Sequence, residues 1–428
     1  MKRSIIVAAL VAAVVGTAAF TNGVENKTNM NPGYLRNPSR NAETKRPEAV
    51  FYNIAGTGFL EDGLYFDAGN QFVFKKYTNS FPKGTLGYPN GKDFSDTTTV
   101  WLYPNADIVY KRGPFAVFGN FGIYAGGGKL SYNDGTTVTA GALAKANPLF
   151  AAAARNHSVE ISSMTYGEQI GFTYCLKNFI SFSGALRLLQ ATQSMELKSD
   201  DATFVGVNHG NKISYDASAF GVGGVFGINV RPIPALTLST QFQLHSDMKY
   251  EVKNLKGNIP TLASSTLPIK NGDTFHTDLP AALNMGAGYQ VLKPLYVSAS
   301  FNYYFNSFAQ LNSVLGKSDY KDSWELATGA DYDINDKVTA SLGLSYGNQG
   351  TKKTVNSAFS PILDSLAIGT GVEYRPIDNL TLTLGLMYIQ YFKQDYYIPV
   401  PALGKEIETK LNKQIFMTSI GATYRLPI

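Results

Sequence analysis

The chain has 428 residues, of which 44% are hydrophobic and 13% aromatic, and it carries a net charge of +5. Charged residues make up only 16% of the chain, whereas about 25% is usual for a soluble domain. The modest positive charge gives no reason to expect a nucleic acid partner, and the single cysteine, Cys175, excludes a fold built on internal disulfides.

The chain begins with the pattern of an exported protein. Lys2 and Arg3 precede an apolar run from Ile5 to Val15, and small residues follow at 16–19. This pattern predicts a signal peptide over residues 1–19, because the apolar run is too short for a comfortable membrane span. No later window holds about 18 consecutive apolar residues, which excludes an inner-membrane helical protein. The composition of the remainder favours an outer membrane location.

Residues 20–62 form the next predicted unit, and their composition indicates irregular backbone. Prolines and glycines, among them Pro38 and Gly56, interrupt a polar stretch, as they do in loops and turns. From Leu64 the chain becomes rich in aromatic and β-branched residues, which indicates a β-strand. We expect residues 20–62 to plug one large closed sheet formed by residues 63–428.

Alternation of apolar with polar or small residues marks the rest of the chain as β-strands. From Leu380 to Leu386 every second residue is leucine, and Thr381, Thr383 and Gly385 lie between them. Several such segments run to ten residues or more, whereas soluble sandwiches have strands of about five or six. Long strands suit a tilted membrane span. In lipid every backbone donor needs a partner, and strands achieve this only in a closed barrel.

The pattern predicts fourteen strands, which makes the fold class an all-β, 14-stranded antiparallel transmembrane β-barrel with an N-terminal hatch (plug) in its lumen. The predicted spans are 64–77, 99–111, 115–131, 158–175, 179–196, 213–230, 236–250, 281–292, 295–307, 323–334, 338–348, 366–375, 379–394 and 412–428. Tight turns and long loops alternate between these strands, as in bacterial barrels whose short turns face the periplasm. Both chain ends are therefore expected in the periplasm.

The last predicted strand ends in SIGATYRLPI. This ending resembles the signal that the barrel-insertion machinery reads, although such strands often end in Phe. We expect that machinery to be a partner during assembly. The fourth predicted strand, 158–175, alternates less regularly than the others, because Glu168 falls on its apolar face. A bulge is one explanation.

Three short runs resemble the FadL family of outer-membrane transporters for hydrophobic compounds, in the branch found in Bacteroidetes. They are NPSRNAETKRPEAVFYNIAG at 37–56, DGLY at 62–65 and GNQF at 69–72. A further match is PNADIVYKRGPFAVFGNFG at 104–122, followed by GGG at 126–128. The resemblance implies a small N-terminal hatch inside a fourteen-stranded barrel.

The family carries an Asn-Pro-Ala-Gly motif in that hatch. In this chain the matching residues are Asn53, Ile54, Ala55 and Gly56. Ile54 therefore replaces a proline that would have fixed φ and removed a backbone donor.

The resemblance also implies a kink in the third strand, which opens a gap in the barrel wall beside the hatch. The residues that match this position are Gly119, Asn120, Phe121 and Gly122. Glycine inside a strand often marks a bend. The alternative is that these small residues only relieve crowding in a curved sheet.

Aromatic residues of the second and third strands are candidates to line a ligand pocket, since such pockets are mostly apolar and aromatic. The candidates, all expected to face inward, are Trp101, Tyr103, Phe118 and Tyr124. A register error of one residue would place them instead in the aromatic girdle at the membrane interface.

Opposite charges offer a way to hold the hatch in place. Basic residues of the hatch are Arg36, Arg40, Lys45 and Arg46, and acidic residues with inward positions on strands ten and twelve are Glu325, Asp331, Asp333 and Glu373. Pairing in a partly dehydrated lumen would pin the hatch. A solvated charged segment without fixed partners is the alternative.

No enzymatic, metal or cofactor site is predicted. Gly343, Ser345 and Gly347 match the hydrolase G-x-S-x-G pattern, but that elbow needs a strand, a sharp turn and a helix, and here it lies inside a strand. The histidines, at 157, 209, 245 and 276, show no metal-ligand spacing. A Ser–His arrangement that only folding assembles stays open.

The resemblance implies passive uptake of hydrophobic molecules such as long-chain fatty acids, without a cofactor. The expected partners are a hydrophobic ligand and the lipids of a Gram-negative outer membrane, and the protein is expected to be a monomer. Apolar patches in two long loops, at 140–154 and 259–269, would collect such a solute or pack on themselves. The competing hypotheses are an adhesive or structural barrel and an unselective porin.

Overall fold

The computed structural model describes residues 31–85, 87–140, 157–199, 211–257, 270–313, 316–317, 320–350, 358–359, 361–400 and 405–428. The predicted signal peptide at 1–19, His209, the loop patch at 259–269 and nearly all of the patch at 140–154 lie outside these residues. Among the residues described, no helix has the length and apolar character that crossing a membrane requires.

Fourteen long strands dominate the described part of the chain. They are β1 (Gly63–Phe81), β2 (Pro104–Arg112), β3 (Phe115–Tyr132), β4 (His157–Leu176), β5 (Ile180–Ser199), β6 (Asn211–Ile233), β7 (Leu236–Gln243), β8 (Ala282–Leu292), β9 (Leu295–Tyr304), β10 (Ser323–Asn335), β11 (Val338–Asn348), β12 (Ser365–Ile377), β13 (Leu380–Tyr391) and β14 (Lys405–Leu426). The remaining strands are short or lie in the long connections: Lys92–Asp96, Thr99–Val100, Lys249–Gly257, Thr274–His276, Asn312–Ser313, Gly316–Lys317 and Gln394–Val400.

The fourteen strands close into an antiparallel barrel. Each strand pairs with the next along the chain, and β14 pairs with β1 from Leu64↔Leu426 to Ser80↔Lys410. Within the described part of the chain, each of the fourteen strands thus has a partner on both sides, which is what lets strands cross a bilayer. The predicted fourteen-stranded antiparallel barrel is confirmed, and the N-terminal hatch stays a prediction.

Alternation along each strand separates an apolar outer surface from the bore. On β11, Leu342 and Leu344 are exposed, whereas Ser341 and Ser345 are buried. Ser345 of the G-x-S-x-G sequence thus points inward from the middle of a strand that continues to Asn348. The geometry of a nucleophile elbow, which needs a turn and a helix at this point, does not form.

Two predictions about individual strands were wrong. The predicted span 236–250 is interrupted, because β7 ends at Gln243 and a separate strand, Lys249–Gly257, resumes pairing with β6. The bulge considered in β4 is absent, because β4 pairs with β5 in unbroken register from His157↔Ser199 to Leu176↔Ile180. Glu168 is exposed on the outer, apolar face.

Residues 31–62, named here the N-terminal segment, fold as α1 (Pro32–Arg36), α2 (Ala49–Tyr52) and a 3₁₀ helix (Ile54–Phe59). Asn31 caps α1 by accepting a hydrogen bond from the Tyr34 N–H at 2.9 Å. The α1 helix packs on β12, β13 and β14, whereas the 3₁₀ helix packs on β4, β5 and β6. In a barrel of fourteen strands these two groups face each other, so the segment reaches across the bore.

The strands carry glycine where the N-terminal segment touches them. Glycines that approach the segment closely are Gly69, Gly227, Gly286, Gly329, Gly343, Gly369, Gly371, Gly385 and Gly421. A Cβ atom added at Gly286 would lie 2.5 Å from the carbonyl carbon of Asn41, and one added at Gly371 would lie 2.6 Å from Cβ of Arg36. The contact surface therefore requires glycine for space.

We expect the Gly286→Ala substitution to displace the N-terminal segment without disrupting the barrel. The new methyl group would meet backbone that cannot rotate away, and such overpacking costs about 1–3 kcal/mol. Tryptic cleavage after Lys45 in detergent-purified protein should then accelerate at least about fivefold, if opening precedes cleavage.

Gly122→Ala is the matched control, because a Cβ atom at Gly122 meets nothing within 4 Å. Heat-modifiable migration on a gel reports whether the barrel itself is intact. Equal cleavage rates in the two variants would contradict the role assigned to Gly286.

Candidate functional site

Buried ion pairs join the N-terminal segment to one side of the barrel. Arg36 of α1 is fully buried between the carboxylates of Asp331 on β10 and Glu373 on β12. Its Nη1 lies 3.0 Å from Oδ1 of Asp331, and its Nη2 lies 2.8 Å from Oε1 of Glu373. Removing one member of such a group leaves a buried charge without compensation, which is strongly destabilising.

The network continues through the segment. Arg40 pairs with Glu43 and Glu48, and its Nη1 lies 3.6 Å from Oδ2 of Asp331. Arg46 pairs with both Glu43 and Glu373. The hypothesis of charge pairing is therefore confirmed for the three arginines.

Lys45 is an exception in this network, because its Nζ donates to Oε1 of Gln290 at 2.9 Å rather than to a carboxylate. Burial alone would raise the pKa of Glu43, but the guanidinium groups of Arg40 and Arg46 outweigh burial and lower it to about 2. Glu43 therefore remains an anion at neutral pH, and the network keeps its charges.

The candidate hatch motif is buried against β6 and the segment itself. The Nδ2 group of Asn53 donates to the carbonyl oxygen of Glu43 at 3.0 Å and to Oδ1 of Asn229 at 2.7 Å. A Cβ atom at Gly56 would collide with the same carbonyl oxygen of Glu43. The motif therefore closes a turn that only glycine fits at its fourth position.

The isoleucine that replaces the family's proline uses the donor that proline lacks. The N–H of Ile54 donates to Oε1 of Gln241 on β7 at 3.0 Å. The carbonyl oxygen of Ala55 accepts a hydrogen bond from Oγ of Ser181 on β5 at 2.6 Å. Buried backbone groups need such partners, so the motif is held from two sides without the proline.

The third strand is irregular, but not where the resemblance placed the kink. Register shifts between β3 and β4 fall from Ile123 to Gly128, and Gly126 and Gly128 have φ values of +99° and +74°. Residues 119–122 keep regular pairing with β4. The predicted kink at Gly119, Asn120, Phe121 and Gly122 is thus displaced along the strand, because positive φ favours glycine and occurs only beyond them.

Backbone pairing between β2 and β3 stops beside this irregular stretch. Their pairing ends at Ala106↔Phe121, and β2 begins at Pro104, which has no N–H to donate. Beyond this point, side chains donate hydrogen bonds to carbonyl groups of β3. The hydroxyl of Tyr103 donates to the Gly126 oxygen at 3.0 Å, and Nζ of Lys75 donates to the Gly127 oxygen at 2.9 Å.

A cavity of about 860 Å³ lies in the wall formed by β14, β1, β2, β3 and β4. Its outer lining is apolar and includes Phe66, Ile108, Tyr110, Phe121, Ile170 and Tyr424. Inward-facing residues also border it, among them Asp67, Asp107, Phe118, Asn120 and Gln169. Three of the lining residues, Ala68, Ala106 and Gly119, are small, and the cavity contacts residues of both faces of the sheet.

Three of the four predicted lining aromatics face inward. Tyr103, Phe118 and Tyr124 are each at most 2% exposed. Phe118 borders the wall cavity, and the hydroxyl of Tyr124 donates to Oδ1 of Asn120 at 2.5 Å. The structure therefore gathers these three residues beside the irregular part of the wall.

Trp101 was wrongly predicted to face inward, since 66% of its surface is exposed. Its ring packs edge-on against Phe72 and Phe74. Residues 101–103 are not strand, and the side chain of Asn70 bonds both the Trp101 carbonyl, at 3.0 Å, and the Tyr103 N–H, at 2.8 Å. The alternation of inward-facing and outward-facing residues does not continue across such a break in the strand.

Two buried lysines were missed by the sequence interpretation. Lys413 is 1% exposed, and its Nζ lies 4.7 Å from the ring centroid of Tyr77 and 4.3 Å from that of Tyr391. Lys75 is buried as well. The alternation of the strand could have revealed Lys75, because it lies two residues before the inward-facing Tyr77 and so on the same face. Both cations lie among apolar side chains of the bore.

A protein-family model described as outer membrane protein transport protein (OMPP1/FadL/TodX) matches residues 121–425. A Pseudomonas aeruginosa FadL homologue is similar in structure, with a TM-score of 0.72, 15% identity, and coverage of 94% of this chain and 99% of that chain. The P. putida toluene transporter TodX gives a TM-score of 0.65 at 14% identity, covering 90% and 95%. The Ralstonia pickettii toluene transporter TbuX gives 0.60 at 14% identity, covering 94% and 99%. Comparison with curated protein sequences gave no match.

We expect Arg36→Met to loosen the N-terminal segment. The substitution leaves Asp331 and Glu373 buried with less compensating charge, which costs about 3–5 kcal/mol for a broken buried pair. Amide hydrogen exchange of residues 31–62 should therefore become faster than in the parent protein.

Lys45→Met is the control, since Lys45 is exposed and makes no ion pair with the wall among the described contacts. It should leave exchange in the segment nearly unchanged. Equal protection of the segment in both variants would show that the Arg36 network does not hold it.

Proposed function

The chain belongs to the outer membrane protein transport family (OMPP1/FadL/TodX), and from this premise we propose that it admits long-chain fatty acids or similar solutes through a lateral opening. Members of this family are transport channels for hydrophobic compounds rather than enzymes. The chain is accordingly an outer-membrane barrel for uptake of hydrophobic molecules. The class of solute and its exit route are the parts proposed here.

The wall cavity is the observation that carries the lateral route. Its lining includes apolar outward-facing residues together with inward-facing Phe118 and Asn120, next to the stretch where β2 and β3 stop pairing. The N-terminal segment obstructs the straight route through the bore, because it contacts strands on opposite sides. A hydrophobic solute that leaves through the wall would pass directly into lipid and avoid the aqueous periplasm.

We assign residues 20–62 the role of hatch and residues 63–428 that of barrel. The long connections would face outward, and the short turns with both chain ends would face the periplasm, as in other bacterial barrels. We expect the protein to act as a monomer whose partners are its solute, the surrounding lipids and the insertion machinery. An unselective porin would need an open bore, and an adhesin would have no use for an apolar cavity in the membrane-facing wall.

The two buried lysines favour an amphipathic acid over a pure hydrocarbon. Lys75 and Lys413 place ammonium groups among apolar side chains of the bore, where a carboxylate on an alkyl chain would find both kinds of contact. Similar structures include proteins described as toluene transporters. A monoaromatic hydrocarbon is therefore the second candidate, and it would gain little from the lysines.

We expect Ala106→Leu to slow uptake of a long-chain fatty acid. The larger side chain projects into the wall cavity, and about 1.4 kcal/mol added to the exit barrier lowers the rate roughly tenfold. Uptake is measured in a Gram-negative host that lacks its own fatty-acid transporter, with equal amounts of folded barrel.

Ala340→Leu makes the same change on the outer face of β11, distant from the cavity along the sheet. This control should transport like the parent protein. Equal uptake by the two variants would contradict the lateral route.

We expect Lys413→Met to weaken binding of a long-chain fatty acid about tenfold, because a hydrogen bond to a charged group contributes about 1.5–3 kcal/mol. Binding of the methyl ester of the same acid should not change, since the ester carries no charge. Calorimetric titration of the purified protein compares the two ligands. A loss of affinity for both, or for neither, would remove the argument for an acidic solute while leaving the lateral route untouched.

A further inference from the structure

The connection between β7 and β8 brings four side chains, two histidines and two aspartates, together near the ends of these strands. Both residue types bind metal ions. The two arms of the connection run antiparallel, because Ser246 pairs with Leu279 and Lys249 pairs with His276. This ladder sets His245 and Asp247 of the first arm beside His276 and Asp278 of the second. Spacing along the chain gave no sign of this group, since the two arms are about thirty residues apart.

Three of these side chains converge on one point. Nδ1 of His276 lies 2.9 Å from Oδ1 of Asp247 and 3.6 Å from Oδ1 of Asp278, and the ligand atoms of all three lie within 4.8 Å of one another. A tetrahedral zinc ion with bonds of about 2.0–2.2 Å has neighbouring ligand atoms about 3.3–3.6 Å apart. Small side-chain rotations would therefore suffice to coordinate an ion.

Asp278 is held in place for such a role. Its side chain is 0% exposed, and it accepts hydrogen bonds from the N–H of Met248 at 2.9 Å and of Gln310 at 2.8 Å. Nε2 of His245 lies 2.7 Å from its Oδ2. Outer contacts of this kind orient a metal-ligating carboxylate.

The charge balance also favours a cation at this place. Within the described residues, Asp278 pairs with His245 and His276, and these histidines carry charge only when protonated. A buried carboxylate without a compensating charge is costly. The side chain of Asp247 is 64% exposed, which leaves an ion a way in from solvent.

We propose that this cluster binds a divalent transition-metal ion of the zinc class. Asp247, His276 and Asp278 are its ligands, water takes the fourth position, and His245 orients Asp278. Magnesium and calcium are disfavoured, because both prefer sites made only of oxygen. A bound ion ties together the two arms of a long connection at the rim of the barrel.

The test is calorimetric titration of the full chain with zinc chloride, in detergent, after treatment with a chelator and purification on a tag without histidine. One ion should bind per chain. His276→Gln and Asp247→Asn should each weaken binding at least about tenfold, since loss even of an outer-shell contact costs 10–100-fold. Magnesium at the same concentration should give no saturable heat.

Asp134→Asn is the matched control, because its side chain is also 64% exposed and pairs with Lys92 rather than with histidine. It should bind zinc like the parent chain. Cobalt(II) in place of zinc should give the visible absorption of a four-coordinate site, and His276→Gln should alter it. Heat-modifiable gel migration confirms that each barrel is folded.

Absence of saturable zinc binding by the parent chain would overturn the proposal. So would unchanged affinity in both His276→Gln and Asp247→Asn. If His276→Gln fails to fold, Asp247→Asn decides the matter, because Asp247 is exposed and its described ion-pair partner is His276. None of these outcomes bears on the uptake function, which depends on the wall cavity and the bore.

Discussion

The contact of Arg36 with Asp331 and Glu373 fixes the N-terminal segment against the barrel wall. Three charges removed from water are tolerable only in fixed mutual geometry, so the arginine defines where α1 meets β10 and β12. From that point the segment crosses the bore to the 3₁₀ helix on β4, β5 and β6. Glycines on the wall, such as Gly286, let its backbone approach closely enough for these contacts to form.

The irregular wall obeys the same rule as the regular wall, which is that buried backbone groups find partners. Where β2 and β3 stop pairing, the carbonyl groups of Gly126 and Gly127 accept hydrogen bonds from Tyr103 and Lys75. Side chains from the bore thus replace a strand at this place. The proposed lateral route would displace these two side chains, while the neighbouring strand pairings stay in place.

The barrel was predictable because its cause is local. Each strand needs an apolar face toward lipid and a partner for every backbone group. Alternation of apolar and polar residues between tight turns therefore identifies each strand, and so the number of strands, before the pairing of strands is known. The same logic failed wherever the backbone departs from period two. Trp101 faces outward because residues 101–103 interrupt the strand, and the register shifts of β3 lie at 123–128, where Gly126 and Gly128 have positive φ.

Alternation, composition and short motifs were enough to predict the strand count, the apolar outer surface, the opposite charges of the segment and the wall, and the family. The folded chain was needed to learn which of those charges meet, where the wall cavity lies, and that His276 lies beside Asp247 and Asp278. Arg36 and Asp331 are 295 positions apart. Contacts across a closed barrel depend on the stagger of all its strands together, and no local pattern in the chain encodes that stagger.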